Sequence, residues 1–325
     1  MLIVNPNLCV DRTIALAALV PGNVHRTKSA VTTLGGKGIN VARVARSLEH
    51  DASILGFIPR DDGPRLRSLA TEEGAELGGV DVDGATRVAT ILLEPSGRVT
   101  VLNEPGVEVD EARWALLLDE ARAARARHAT LVCSGSLPPG SPVDAYARAV
   151  RVARELALAT VVDATGPVLA AALLAEPDVV SPNLSEAEAV LWGRPDEVVE
   201  PTGPDVVERA ARAVDELVRR GARRAVVSAG SHGAAFGAGG AVSWCRAPAV
   251  EVVNPIGAGD SLVGGLVHAL ERGEPFEDAV RFALAVASAS CEQARAGGIV
   301  VGRVGELLET LGANELVLAG PDRAR

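Results

Sequence analysis

Residues 129–136 read ATLVCSGS, residues 143–157 read VDAYARAVRVARELA, and residues 159–164 read ATVVDA. The first and last are short apolar runs that end in small or polar residues. The middle one mixes apolar and charged positions in a helical pattern. The order predicts strand, helix, strand, and it recurs downstream. PDVVSPN (177–183) and RRAVVSAG (223–230) read as further buried strands; PVLAAALLA (167–175), LSEAEAVLWG (184–193) and PDVVERAARAVDELVRRG (204–221) read as helices. In the last of these, Val206, Val207, Ala210, Ala213, Val214, Leu217 and Val218 keep a period of three to four residues, and Gly221 follows as a stop. Buried strands alternating with helices predict a parallel sheet covered on both faces. Ligands in such sheets bind beyond the carboxyl ends of the strands, which is where SGS, SPN and SAG fall.

The first hundred residues follow another pattern. TRVATILLEPSGRVTVLNEPG (86–106) reads as two alternating strands joined by a turn at Pro95-Ser96-Gly97, and NVHRTKSAVTTLGG (23–36) also reads as extended. These excursions predict a small sheet outside the main one, a lid with strands from about residues 9–34 and 86–104. No internal repeat or long linker interrupts the chain, so residues 1–325 read as one α/β domain carrying that lid.

Composition narrows the chemistry. Apolar residues make up 48% of the chain and aromatics only 2%, so the core is expected to be alanine, valine and leucine. The net charge of −10 argues against general binding of nucleic acid or anionic membrane. An anionic substrate would need a local positive pocket set against that field. The start, Met1-Leu-Ile-Val-Asn-Pro, lacks the basic region of a signal peptide, and the alanine-rich stretch 283–291 is too short to span a bilayer. The four cysteines are far apart and form no C-x-x-C, and the five histidines show no metal-ligand spacing. A cytoplasmic protein with reduced thiols is expected.

Three motifs carry candidate chemistry. In NPIGAGDSLVGG (254–265) a Gly-Ala-Gly turn enters a helix with apolar positions Leu262, Val263, Leu266, Val267 and Leu270. Such a turn points successive N–H groups at one spot, where the helix dipole adds partial positive charge. Asp260 sits at the same helix start and could take a proton from an attacking hydroxyl; the alternative is a simple helix cap. Asn183 and Glu186, three apart at a second helix start, could hold a magnesium ion through its waters or could form a capping box. LGGKGINVAR (34–43) also runs from a glycine turn into a helix. It holds Lys37, one of only two lysines beside thirty arginines. Its glycines permit close approach to a polyol, Asn40 could bond hydroxyls, and Arg26, Lys37 and Arg87 could form the positive pocket. There is no G-x-x-x-x-G-K-[S/T] loop, and GSHGAAFGAGG (230–240) lacks the spacing of a dinucleotide fingerprint.

Together and in this order, NPNLCVDRT, GGKGINVAR, GFIPRDDG, the Thr86-Arg87 hairpin, SGSLPPG, SPNLSE, VVSAGSHGA and NPIGAGDS resemble the PfkB (ribokinase-like) sugar kinases along nearly the whole chain. The resemblance implies a Rossmann-like α/β/α sandwich with a β-sheet lid that often forms a homodimer interface. It implies transfer of the ATP γ-phosphate, with Mg²⁺, to a sugar hydroxyl. By matching position, Asp260 is the base, and Gly257, Ala258 and Gly259 supply the anion hole. Asn183 and Glu186 lie at the Mg–phosphate site, and Ser228, Gly230 and Gly233 along the nucleotide. Asp11, Gly35, Gly36 and Asn40 lie at the sugar. GGKGINVAR together with SGSLPPG is most similar to family members acting on phosphorylated ketohexoses, in which Arg26, Arg87 and Lys37 would meet the phosphate already on the sugar. Fructose 1-phosphate is the first expectation; tagatose 6-phosphate, fructose 6-phosphate, an unphosphorylated sugar or nucleoside, and a non-catalytic sensor stay open. The segment Asn5-Pro-Asn-Leu-Cys-Val-Asp11 is two residues longer than the family's usual N-P-x-x-D, which bears on the role of Asp11.

Overall fold

A computed structural model describes residues 1–28, 30–194 and 201–312, and the backbone of 317–318. Ser29, within the run read as extended, and the last residues of the expected 1–325 domain lie outside the described residues. The strands are β1 (Leu2–Val4), β2 (Cys9–Ala15), β3 (Ala30–Gly35), β4 (Ser53–Pro59), β5 (Glu76–Val82), β6 (Arg87–Leu93) and β7 (Val99–Asn103). They continue with β8 (Thr130–Ser134), β9 (Ala159–Asp163), β10 (Val179–Val180), β11 (Ala225–Ser228), β12 (Ala234–Ala238), β13 (Ala241–Cys245) and β14 (Val317–Leu318). One sheet has the order β14-β13-β12-β11-β10-β9-β8-β1-β4-β5; the other has the order β3-β2-β6-β7.

From β11 to β5 the large sheet is parallel. Its strands alternate between two apolar layers, as a pleat buried on both faces must. Leu2, Val4, Leu131, Cys133, Val162 and Val227 face the layer of helices Glu111–Ala124, Ala145–Glu155, Gly166–Leu173, Leu184–Trp192 and Val206–Arg219. Ile3, Val132, Val161 and Val226 face the layer of Lys37–Ser47, Gly63–Glu72, Ala258–Glu271, Phe276–Cys291 and Val301–Gly312. Valine, alanine and leucine dominate both layers, with an aromatic knot of Phe57, Trp114 and Tyr146 in the first and an edge-to-face pair of Phe236 and Phe276 in the second. Among the described residues no helix is long and apolar enough to cross a membrane.

Two features depart from the sequence reading. The large sheet is not parallel throughout: β12, β13 and β14 add an antiparallel edge. Among the described residues of the run expected to be extended over 23–36, strand forms at Ala30–Gly35 and not before it. The hairpin at 86–106 forms as β6 and β7, with Gly97 at φ 81° in its turn. β2 joins this pair in parallel to β6, and β3 pairs antiparallel to β2, completing the four-stranded sheet.

The chain order sets a switch point. From β1 the sheet grows through β4 and β5 on one side and through β8, β9, β10 and β11 on the other. Sheets of this kind take ligands in a crevice outside such a switch point, here beyond the carboxyl ends of β1 and β8, where Asn5 and Gly135 follow their strands.

Candidate active site

Asn5 caps β1 and is 1% exposed. Its Oδ1 accepts from the Gly38 N–H at 3.3 Å, so the glycine turn that opens the helix Lys37–Ser47 is pressed onto it. Gly36 has φ 123°, and a Cβ there would lie 2.5 Å from Asn5 Nδ2. Gly38 is as tight, its Cβ position 2.7 Å from that of Asn5. No larger residue fits either side of Lys37.

That turn aims Lys37 across the ends of β9 and the helix Leu184–Trp192. Its Nζ lies 3.3 Å from Asp163 Oδ1 and 3.5 Å from Glu186 Oε1, with the side chain 38% exposed. Burial alone would lower the ammonium pKa, but Asp163, Glu186 and Asp260 outweigh it and hold it above the ordinary lysine value. Asp163 also accepts from Ser134 Oγ at 3.3 Å. The sequence reading missed Asp163. Its available signal was an acid closing a largely buried strand, in ATVVDA, at the end of the sheet where ligands bind.

Gly257 begins the helix Ala258–Glu271 at φ 81°, a conformation only glycine adopts cheaply. The first intrahelical bond runs from Ser261 N–H to the Gly257 carbonyl at 2.8 Å. The amides of Gly259 and Asp260 therefore emerge from the helix end. Asp260 is 6% exposed, and its Oδ2 accepts from Asn40 Nδ2 at 2.7 Å. Burial pushes its carboxyl up to about 7, with Asp163 and Glu186 adding to the rise and Lys37 and the Asn40 hydrogen bond opposing it. A buried carboxyl whose affinity for a proton is raised, set beside emergent amides, is suited to proton transfer next to an anion.

Asn183 and Glu186 form the capping box: Asn183 Oδ1 accepts from the Glu186 N–H, and Glu186 Oε2 from the Asn183 N–H, both at 2.9 Å. Glu186 Oε1 is the atom that meets Lys37. Among the described residues no three acidic, histidine or cysteine side chains are arranged to enclose a metal ion. The carboxylate oxygens of Glu186 suit magnesium, an ion that keeps most of its waters and arrives with phosphate.

Asp11 lies on β2 beside Gly35, whose Cβ position is 2.1 Å from Asp11 Oδ1. Cys9 Sγ donates to the same oxygen at 3.2 Å. Burial raises the Asp11 carboxyl, opposed by that hydrogen bond and by Arg43 and Arg87. Arg87 opens β6, half-buried, and donates to the Asn7 carbonyl at 2.9 and 3.2 Å. Arg26 is exposed between β2 and β3, and among the described residues no hydrogen bond or ion pair ties it to Lys37. Ser228 ends β11 and bridges to Asn183, and Gly230 follows in a short 3₁₀ turn. Gly233 is set by packing, because a Cβ there would strike the Cys245 carbonyl at 2.1 Å.

A three-layer sandwich with a four-stranded accessory sheet, its polar cluster gathered at the switch point, is the build of a ribokinase-like kinase. The chain belongs to the pfkB family of carbohydrate kinases, whose profile matches residues 5–300. It is 37% identical to the 1-phosphofructokinase of Haloferax volcanii over 315 residues, covering 96% of this chain and 95% of that one. It is 34% identical to the 1-phosphofructokinase of Escherichia coli strain K12 over 277 residues, 85% of this chain and 86% of that one. The crystal structure of E. coli phosphofructokinase-2 with potassium superposes with a TM-score of 0.85 at 27% identity, covering 96% of this chain and 99% of that chain. The protein is accordingly a carbohydrate kinase, with ATP as the phosphate donor that its family uses.

Proposed function

We propose that the protein is a 1-phosphofructokinase, moving the ATP γ-phosphate to the primary hydroxyl of fructose 1-phosphate to give fructose 1,6-bisphosphate. The observation that carries the reading is Asp260, a buried carboxyl at the start of an amide-ended helix, with one oxygen bonded to Asn40 and the other left for a hydroxyl. The relatives called 1-phosphofructokinase, which match most of the chain, support the choice of substrate.

In this mechanism the sugar lies between the four-stranded sheet, acting as a lid, and the crevice. Asp11 and the Gly35–Gly36 backbone receive its hydroxyls, and Arg87, with Arg26 brought in from the β2–β3 connection, meets its phosphate. Asp260 takes the proton of the attacking hydroxyl. The Gly257–Gly259 turn and the emergent amides receive the negative charge of the phosphoryl group in flight. An ammonium has three donors. Two of those on Lys37 are directed at Asp163 and Glu186, and the third is available to the phosphate in transit. Glu186, oriented by Asn183, would hold magnesium through its waters; the ion supplies charge neutralisation on the phosphates. Ser228, Gly230 and Gly233 border the nucleotide. The small sheet exposes Val31, Val101 and Leu102, which suits a homodimer formed through the lid.

The test is ADP release by the purified chain against fructose 1-phosphate, fructose 6-phosphate, tagatose 6-phosphate, fructose, ribose and adenosine. The highest kcat/KM is expected on fructose 1-phosphate. Turnover confined to an unphosphorylated acceptor would overturn the substrate, and no ADP release with any acceptor would overturn the kinase reading in favour of a sensor.

A further inference from the structure

A buried guanidinium reaches Asp260 through a single amide. Arg43 lies one turn after Asn40 on the helix Lys37–Ser47 and is 9% exposed. Its Nη1 donates to Asn40 Oδ1 at 2.7 Å, and Asn40 Nδ2 donates to Asp260 Oδ2 at 2.7 Å. The other guanidinium contacts are also committed. Nε and Nη2 fork onto Glu73 at 2.8 and 2.9 Å, Nη1 reaches the Ala296 carbonyl at 3.2 Å, and Nη2 bonds the Leu34 carbonyl. Glu73 is held in turn by the Leu34 N–H at 3.1 Å and by Arg295 at 2.7 Å.

The chemistry of this chain is directional. A guanidinium has donors only, so the amide oxygen of Asn40 must face it and the amide NH₂ must face away. Asn40 therefore offers Asp260 a donor and never an acceptor. One carboxylate oxygen is occupied and the carboxyl plane is fixed, which leaves the second oxygen for a substrate hydroxyl. With its amide oxygen on Arg43 and its NH₂ on Asp260, Asn40 works on the base.

We propose that Arg43 is a positioning residue for phosphoryl transfer: by locking the Asn40 amide it orients Asp260, and by gripping Leu34 it ties that orientation to the root of the four-stranded sheet. The inference rests on Asp260 being the base. The charges that face Asp260 are Lys37 from the same helix as Arg43, Asp163 at the end of β9 and Glu186 on Leu184–Trp192. All three remain when Arg43 is replaced.

The experiment compares full-length Arg43→Met, Arg43→Lys and the double variant Arg43→Met/Glu73→Gln with the unaltered chain, and carries Asp260→Asn as a control. Arg43→Met should lower kcat by about ten- to a hundredfold, the scale of a misplaced reacting group. The KM values for ATP and sugar phosphate should change less than about threefold, and the acid limb of the kcat profile should move to higher pH as Asp260 loses its fixed donor. Arg43→Lys, which keeps a donor toward Asn40, should recover part of kcat and part of the limb. The double variant removes the carboxylate charge that the single change strands beside Arg295, and it carries the same test if the single variant does not fold. Unchanged kcat in a folded variant, or a fall in kcat with the acid limb in place, would overturn the proposal. If Asp260→Asn itself turns over normally, the base assignment fails instead; if that control is dead while Arg43→Met is fully active, only the role of Arg43 fails.

Discussion

Asp260→Asn should cost the enzyme its chemistry and strengthen its fold, and the second effect should depend on pH. The carboxyl is pushed from its ordinary value of 3.8 up to about 7, chiefly by burial. That displacement corresponds to about 4 kcal/mol between the two protonation states. Because the folded value lies above the unfolded one, the folded state holds the proton more tightly. The stability this provides is complete below the unfolded value, shrinks as pH rises, and is gone once pH passes the folded value. Asparagine is a neutral side chain of nearly the same shape that can still accept from Asn40, so the variant never bears the cost of a buried charge. Its lead in melting temperature over the unaltered chain should therefore be small at about pH 4, grow through the interval up to about pH 7, and level off above it at several degrees. Turnover should fall by about a thousandfold, within the range of general-base contributions, while ATP binding persists. Thermal denaturation across pH and ADP release on the same samples give both readouts. Near-normal turnover would refute the role of base, and a melting difference independent of pH would refute the claim that Asp260 carries a buried, displaced carboxyl.

Three further substitutions probe the rest of the site. Lys37→Met removes the leading group that lowers the Asp260 carboxyl, so the acid limb of kcat should move up by about 1–3 pH units; an unmoved limb in a pH–rate profile would show that Lys37 does not act on the base. Gly35→Ala places a methyl 2.1 Å from Asp11 Oδ1 and 2.7 Å from Cys9 Sγ, and should raise the KM for the sugar phosphate about tenfold while the KM for ATP holds, as steady-state kinetics can check. Glu186→Gln keeps an oxygen for the Asn183 N–H but loses the charge facing Lys37, so the magnesium concentration for half-maximal activity should rise about tenfold in a titration at fixed ATP.

The strands β8 to β11 were legible because each is a short run of buried apolar residues closed by small or polar ones, and the hairpin β6–β7 because it pairs alternation with a glycine turn. The antiparallel edge was not. GSHGAAFGAGG has no β-branched residue, and in β12, which forms there, glycine allows close approach: a Cβ at Gly237 would meet the Ala241 carbonyl at 2.2 Å. In the site, the residues that motif spacing grouped share one turn or one helix start, such as Asn183 with Glu186 or Gly257 with Asp260. The partners it missed come from far along the chain. Asp163 lies 126 residues from Lys37, and Glu73 lies 30 from Arg43. Periodicity reports neighbours on one element; it carries no information on which distant strand end a side chain will face.

The persistence of lysine at position 37 follows from that long-range geometry. The side chain leaves a turn whose two flanking glycines are pressed onto Asn5 and runs across the ends of β9 and the helix Leu184–Trp192. There it meets two carboxylates from different elements and lies within electrostatic reach of a third. A guanidinium presents its donors in a rigid plane and pairs best with one carboxylate or phosphate edge-on; an ammonium turns three donors about a point. Two donors for Asp163 and Glu186 and one for an incoming phosphate is an arrangement the ammonium meets and the planar fork does not. The same charge restrains the rise of the Asp260 carboxyl. On this reading the residue that receives the phosphate also sets the pH at which the base is ready for it, so a Lys37→Arg exchange, conservative in charge, should restore the acid limb more fully than it restores kcat.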